Sequence, residues 1–135
     1  NWRGVMLKSA EQVLALKPDA AILAGLDIGV VGPRGKVGVV GATDQEGIAF
    51  EVRAFFPGNN GMAEDPVTGS LNAGLAQWLI GAGLAPTQYV AAQGTAMGRA
   101  GRVYVLQDPS TGAGQAADIW IGGSSVTCIN GQVLL

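Results

Sequence analysis

The sequence predicts an α+β fold in which a mixed β-sheet curls into a barrel around one central apolar helix, and two observations carry that prediction. Residues 70–82 form an apolar stretch in which Ala73, Gly74 and Ala76 fill the space between Leu71, Leu75, Trp78, Leu79 and Ile80, so no polar stripe is left over. A helix apolar all round is normally enclosed on every side. Short apolar runs separated by Gly, Pro and Asp turns lie both before and after it, which reads as strands able to provide the enclosure. At 135 residues the chain suffices for a single domain, residues 1–135, with a core of its own.

Residues 2–8 alternate as a strand with Val5 and Leu7 on one face and Met6 on the other. Ser9 caps a short helix to about Leu16, Gln12 completing a capping-box pattern, and Pro18-Asp19 stops it. The apolar residues 20–26 fit a helical turn passing into strand by Asp27. Residues 28–31 and 37–40 flank a Gly-Pro-Arg-Gly-Lys connector and are expected to pair as a hairpin. In residues 48–56 apolar Phe50, Val52 and Ala54 alternate with Glu51 and Arg53, predicting one buried and one open face. Residues 57–63 read as a long functional loop. After the helix ends at Gly81-Ala82-Gly83, residues 88–93, 103–106, 117–121, 126–129 and 133–135 are strand candidates.

Composition narrows the function. Apolar residues make up 48% and charged residues 13%, a low charge content that predicts surface hidden against a partner domain or subunit. The net charge is −2 and the eight Lys and Arg are scattered, which argues against nucleic acid as a partner. No apolar run approaches the roughly 20 residues a bilayer span requires, so no membrane partner is expected. Single Cys128 has no disulfide partner within the chain and is read as a small buried hydrophobe on a strand. Together these predict a cytoplasmic protein. Histidine is absent, so neither a Ser-His-Asp triad nor a His-based metal site can be built from this chain. Asn1 rather than methionine opens the sequence and nothing there resembles a signal peptide, so an upstream segment is expected.

The chemistry concentrates at Glu64-Asp65-Pro66-Val67-Thr68-Gly69-Ser70, directly before the apolar helix. The first N–H groups of a helix lack intrahelical partners and lie at the positive end of its dipole, where they favour a carboxylate or phosphate. Thr68, Gly69 and Ser70 are therefore candidate substrate-binding residues. Asp65 is the candidate catalytic residue, able to accept a proton or hydrogen bond from an amino or hydroxyl group of the same ligand. The alternative is a plain helix start, with Asp65 as N-cap before Pro66, or Thr68 as N-cap. Gln93-Gly94-Thr95-Ala96-Met97-Gly98-Arg99 lacks the Lys-Ser/Thr ending of a P-loop and is not read as a nucleotide site. An aromatic at the position of Trp78 reads as core.

Arg53-Ala54-Phe55-Phe56-Pro57 followed by Glu64-Asp65-Pro66-Val67-Thr68-Gly69-Ser70 resembles the signature of the PhzF-like isomerase family of phenazine biosynthesis, relatives of the diaminopimelate epimerase fold. Gln93-Gly94, Gly98-Arg99, Gly101, Gly122-Gly123 and Asn130-Gly131 are similar in order and spacing to the C-terminal half of that family. The resemblance covers essentially the whole chain but only half of a family member. It implies half of a cofactor-independent, metal-free isomerase or epimerase that moves a proton on a small amino or hydroxy acid. Its proton-transferring glutamate would lie in an N-terminal half outside this chain. By the same resemblance Asp65 orients the substrate, and Ser70 with the N–H groups around Gly69 holds its carboxylate. Expected partners are a small carboxylate-bearing substrate and either an N-terminal half-domain or a second copy in a homodimer. The alternative is a non-catalytic binding or structural module that dimerises through this half alone.

Overall fold

The computed structural model describes residues 2–23, 25–59, 61–111 and 117–134. Seven strands among them form one sheet: β1 (Arg3–Met6), β2 (Ile28–Pro33), β3 (Phe50–Gly58), β4 (Gly61–Asp65), β5 (Gln88–Gln93), β6 (Gly101–Gln107) and β7 (Ile119–Gly122). Their spatial order is β1-β2-β3-β5-β6-β7, with β4 also on β3. Pairing is mixed, parallel at β1/β2 and β3/β5 and antiparallel elsewhere. Two helices, α1 (Ala10–Ala15) and α2 (Gly69–Gly81), pack on it. The α+β class and the mixed sheet stand, but the sheet is open: β1 and β7 are edges, and the expected barrel is not closed.

Both faces of the sheet are covered at β2 and β3, and that explains one error of the sequence reading. Phe50, Val52 and Ala54 of β3 join Leu71, Leu75, Ala76 and Leu79 of α2 in the larger core. The opposite face of β2 and β3 meets α1, where Val13 packs with Ile28, Val30 and Phe55. Glu51 and Arg53, expected on an open face, are therefore buried. Each is answered by charge. Arg34 Nη1 lies 3.0 Å from Glu51 Oε2, and Arg53 grips both oxygens of Glu64 at 2.9 and 2.8 Å. Arg53 also donates to the Val13 and Leu16 carbonyls at the end of α1, tying that helix to β3.

Several local expectations fail for identifiable reasons. Residues 57–63 are not a long loop: β3 and β4 form a tight hairpin, with Gly58 opposite Gly61. Residues 37–40 are turn, not strand, and Val37, Val39 and Val40 are exposed. Within them Gly38 takes φ 78°, which breaks the extended run and puts β3 rather than this segment beside β2. No strand forms at 126–129 or at 133–134, Leu135 lies outside the described residues, and Cys128 is exposed rather than buried. Ser9 does cap α1, accepting from the Gln12 N–H at 3.4 Å.

Helix α2 departs from the expected full enclosure. Leu71, Asn72, Leu75, Ala76 and Leu79 are buried, each large apolar side chain contributing about 1.5–3 kcal/mol. Ser70, Gly74, Gln77, Trp78 and Gly81 are exposed, and their spacing puts them on one flank. Trp78, expected in the core, is 41% exposed. The missing enclosure and the unclosed sheet are one fact: no strand among the described residues spans from β7 to β1 across this flank. No helix among the described residues is long and apolar enough to cross a membrane.

Glu51 is fully buried and its Oε1 has no partner in hydrogen-bond geometry. Burial pushes its pKa above the ordinary 4.5, with Thr95 and Arg34 opposing. A carboxyl raised in this way contributes its stability below the ordinary value, and that stability is lost as pH rises through the folded-state pKa. Glu51→Gln, which cannot ionise, is expected to match the parent near pH 4 and to melt at a higher temperature near pH 7.5. Thermal denaturation at both pH values checks this, and a variant less stable than the parent at the higher pH would contradict it.

Candidate functional site

The start of α2 sits where two strands run at each other beside β3. Strand β4 descends antiparallel to β3 and ends with Asp65 opposite Ala54. Strand β5 rises parallel to β3 on the same side and ends with Gln93 opposite Val52. Their ends meet two residues apart, and the Gln93 Nε2 group donates to the Asp65 carbonyl at 2.9 Å across the gap. From there the first chain turns through Pro66 and Val67 into α2.

Gln93 has no exposed surface and its carboxamide is used on every side. Its oxygen accepts from the Thr68 N–H at 3.1 Å and from Asn72 Nδ2 at 2.8 Å. Its amide also donates to Thr68 Oγ1 at 3.1 Å. Asn72 completes the set by donating to the Thr68 carbonyl at 2.9 Å. The loop after Gln93 must pass close to this cluster. Gly94 has φ 89°, and a Cβ there would lie 2.8 Å from the Pro66 carbonyl oxygen, so both conformation and space call for glycine.

Of the two plain helix-start readings, the structure denies one and empties the other. Asp65 is the last residue of β4, not an N-cap, and Pro66 is not the first helical residue. Thr68 holds the N-cap position with extended φ −124° and ψ 101°, but its side chain makes no capping bond. Its hydroxyl donates instead to Asp65 Oδ2 at 2.7 Å. The first-turn N–H groups of Gly69, Ser70 and Leu71 are thus left without the usual side-chain acceptor. Gly69 and Ser70 are exposed, and Asp65 is partly so.

Ser70 is oriented from across the sheet edge. Trp2 Nε1 donates to Ser70 Oγ at 3.1 Å, which occupies an acceptor site of the hydroxyl and leaves its proton to donate elsewhere. Glu64, next to Asp65, is held by Arg53 and supports the strand end. The four predicted site residues, Asp65, Thr68, Gly69 and Ser70, are therefore brought together at one helix mouth, with Thr68 buried beneath the other three. The mouth lies at the surface. Beside it, a cavity of about 230 Å³ is lined by Trp2, Gly4, Leu71, Gly74, Leu75 and Trp78, without Asp65 or Ser70 in its wall. Arg99 is exposed after the Gly94 turn. Among the described residues, no group of three His, Cys, Asp or Glu side chains is placed to hold a metal.

Sequence reasoning missed Gln93, Asn72 and Trp2 as parts of this arrangement. Asn72 did carry a signal: an amide within an otherwise apolar helix needs a buried polar partner. Gln93 stood out only as a strand end and as part of the family pattern with Gly94, and neither revealed its partners, which are 25 and 28 residues away. Gln93→Met keeps the volume but removes the acceptor of the Thr68 N–H and of one Asn72 amide contact, and the side-chain donor to the Asp65 carbonyl. It is expected to cost about 2–4 kcal/mol in urea unfolding, and a loss below about 1 kcal/mol would show that the cluster does not hold the mouth.

No curated protein matches the chain. The family model of phenazine biosynthesis-like proteins matches residues 2–131, nearly the whole length. The strand-end junction, the helix it opens and the sheet on either side all fall within that match, and the chain belongs to the phenazine biosynthesis-like family.

Proposed function

We propose that this chain contributes the carboxylate-binding half of an isomerase that moves a proton on a small amino or hydroxy acid. The observation that carries the reading is the uncapped start of α2, whose N-cap hydroxyl is turned onto Asp65 while Gly69 and Ser70 face solvent. A ligand carboxylate placed there would receive backbone N–H groups, the helix dipole and the Ser70 proton. Asp65, one oxygen engaged by Thr68, keeps acceptor capacity for an amino or hydroxyl group on the same ligand. Such a site recognises the two ends of a hydroxy or amino acid.

Proton transfer between carbons also needs a group that takes and returns a proton at the reacting atom. The mouth offers Asp65 alone, so the proton shuttle belongs to a second folded unit facing this one. That division of labour agrees with the PhzF-like resemblance, in which the proton-transferring glutamate lies in the N-terminal half. The mouth's position at the surface, outside the neighbouring cavity, supports a site completed by a facing wall. The same observation favours a second reading for the chain on its own, a binding module without catalysis.

Calorimetric titration with lactate and alanine tests the anion site. Ser70→Ala is expected to weaken lactate binding about tenfold, as for a lost hydrogen bond to a charged group. Asp65→Ala removes the acceptor of the Thr68 hydroxyl, freeing it to cap the helix and compete with the ligand, so a comparable loss is expected. Unchanged affinity in both variants would sink the proposal. Solvent deuterium at the α-carbon, followed by NMR, separates the two readings: incorporation by this chain alone would contradict a shuttle supplied from elsewhere.

A further inference from the structure

The connection between β2 and β3 leaves three valines in water. Val37, Val39 and Val40 are 60, 49 and 55% exposed, on a segment that the sheet does not take up. The chain there folds into a compact loop closed at its base. Val39 and Ala42 each donate a backbone N–H three residues back, to the carbonyls of Lys36 and Val39. A Cβ added at Gly35 would run into the Ala42 carbonyl, so only glycine lets the two legs of the loop touch. Below them Arg34 is bound by Asp44 Oδ2 at 2.8 Å and by Glu51 Oε2 at 3.0 Å. A surface loop whose ends meet and are pinned in this way makes a fixed wall.

Behind the wall lies a cavity of about 360 Å³, within the size range of small-molecule sites. Its floor includes Ala49 and Phe50, only 2 and 5% exposed, so it reaches down to the core. Met6, Leu7, Val39 and Leu84 are among its sides. Among the described residues, the charged ones in its lining are Lys8 and Lys36, two of the three lysines of the chain. No carboxylate lines it, and neither ammonium group pairs with one among the described residues. Lys8 is fixed through its backbone, whose N–H donates to Gln12 Oε1 in the first turn of α1 at 3.2 Å. The cavity is separate from the helix mouth. Leu84 follows the far end of α2, whose 13 residues span about 20 Å, and none of Asp65, Thr68, Gly69 and Ser70 lines it.

We infer that this cavity binds a medium-chain carboxylate, its acyl chain between the valine loop and Phe50 and its carboxylate at Lys8 and Lys36. Charge complementarity selects that ligand. An apolar interior with cations alone at its edge matches an apolar chain that ends in one anion; a neutral chain leaves both ammonium groups unanswered, and a cationic one is repelled. The depth of the cavity favours a single inserted chain over an anionic membrane surface, which would meet the valines but not Ala49 or Phe50. The inference does not rest on the reading of the α2 mouth.

Calorimetric titration of the chain with octanoate, acetate and octylamine tests it. Octanoate is expected to bind at least tenfold more tightly than either, because acetate lacks the chain and octylamine carries the wrong charge. The double variant Lys8→Met/Lys36→Met keeps apolar bulk and is expected to bind octanoate about tenfold more weakly while binding n-octanol as the parent does. Lys17→Met, at a lysine outside the cavity, is expected to change neither. Val39→Glu puts an acid on the half-exposed wall and is expected to abolish octanoate binding with an unchanged far-UV circular dichroism spectrum. Excess lactate is expected not to displace octanoate. Octanoate that binds no better than acetate or octylamine overturns the inference, as does full affinity in the double lysine variant or an equal loss of n-octanol. Displacement by lactate would place octanoate at the α2 mouth instead. Sedimentation with phosphatidylglycerol vesicles, without octanoate binding, would make the loop a membrane contact and overturn the inference too.

Discussion

The structure depends on one buried carboxamide. Gln93 closes the gap where β4 and β5 run end to end beside β3, and its oxygen and nitrogen together fix the turn that starts α2. An amide suits this position because it donates and accepts from one planar group, and here the neighbours require both: a backbone N–H and the Asn72 amide on one side, a carbonyl and a hydroxyl on the other. A carboxylate would lose the donor. An apolar side chain would strand buried polar groups at about 1–3 kcal/mol each. The direction in which the helix mouth points follows from this junction.

Charge plays the corresponding part on the opposite face of the sheet. Arg53 lies under the α1 end, over the Phe55 ring at 4.7 Å and against both oxygens of Glu64. It thereby connects α1, β3 and the end of strand β4 in one contact set. Asp65 follows Glu64 directly, so the side chain proposed to meet substrate is anchored on one side by Arg53 through its neighbour and on the other by Thr68. Rigid anchoring of this kind lets a site meet charge without reorganising.

How much of this was legible in the sequence follows from the range of each interaction. Helix α2, β5, the Ser9 cap and the gathering of Asp65, Thr68, Gly69 and Ser70 at one mouth are set by local pattern and by residues adjacent in sequence, and they were readable. Glu51 and Arg53 were misplaced because alternation reports polarity, and only tertiary packing of α1 tells that the polar side is covered. Trp78 and the exposed flank of α2 were misread for the reverse reason: an all-apolar helix predicts cover on every side, and the described strands cover only one side of it. Val126, Cys128 and Ile129 belong to the same class, apolar by sequence and exposed in the isolated chain.

The helix start itself shows which demand prevailed. A Thr at the N-cap position in extended geometry could bond the N–H two or three residues on, a contact whose loss costs about 1 kcal/mol. Thr68 forgoes it because the neighbouring carboxylate turns the hydroxyl another way: Thr68 Oγ1 donates its proton to Asp65 Oδ2 at 2.7 Å. A hydroxyl oriented as donor to Asp65, and accepting from Gln93 Nε2 on its other side, makes no bond to the helix N–H groups. The cost is small beside the burial that holds α2 in place, and what it leaves behind is an electropositive mouth with an acid at its rim. Local rules broken at low cost, at a point held by a saturated buried network, are what a binding site is expected to look like.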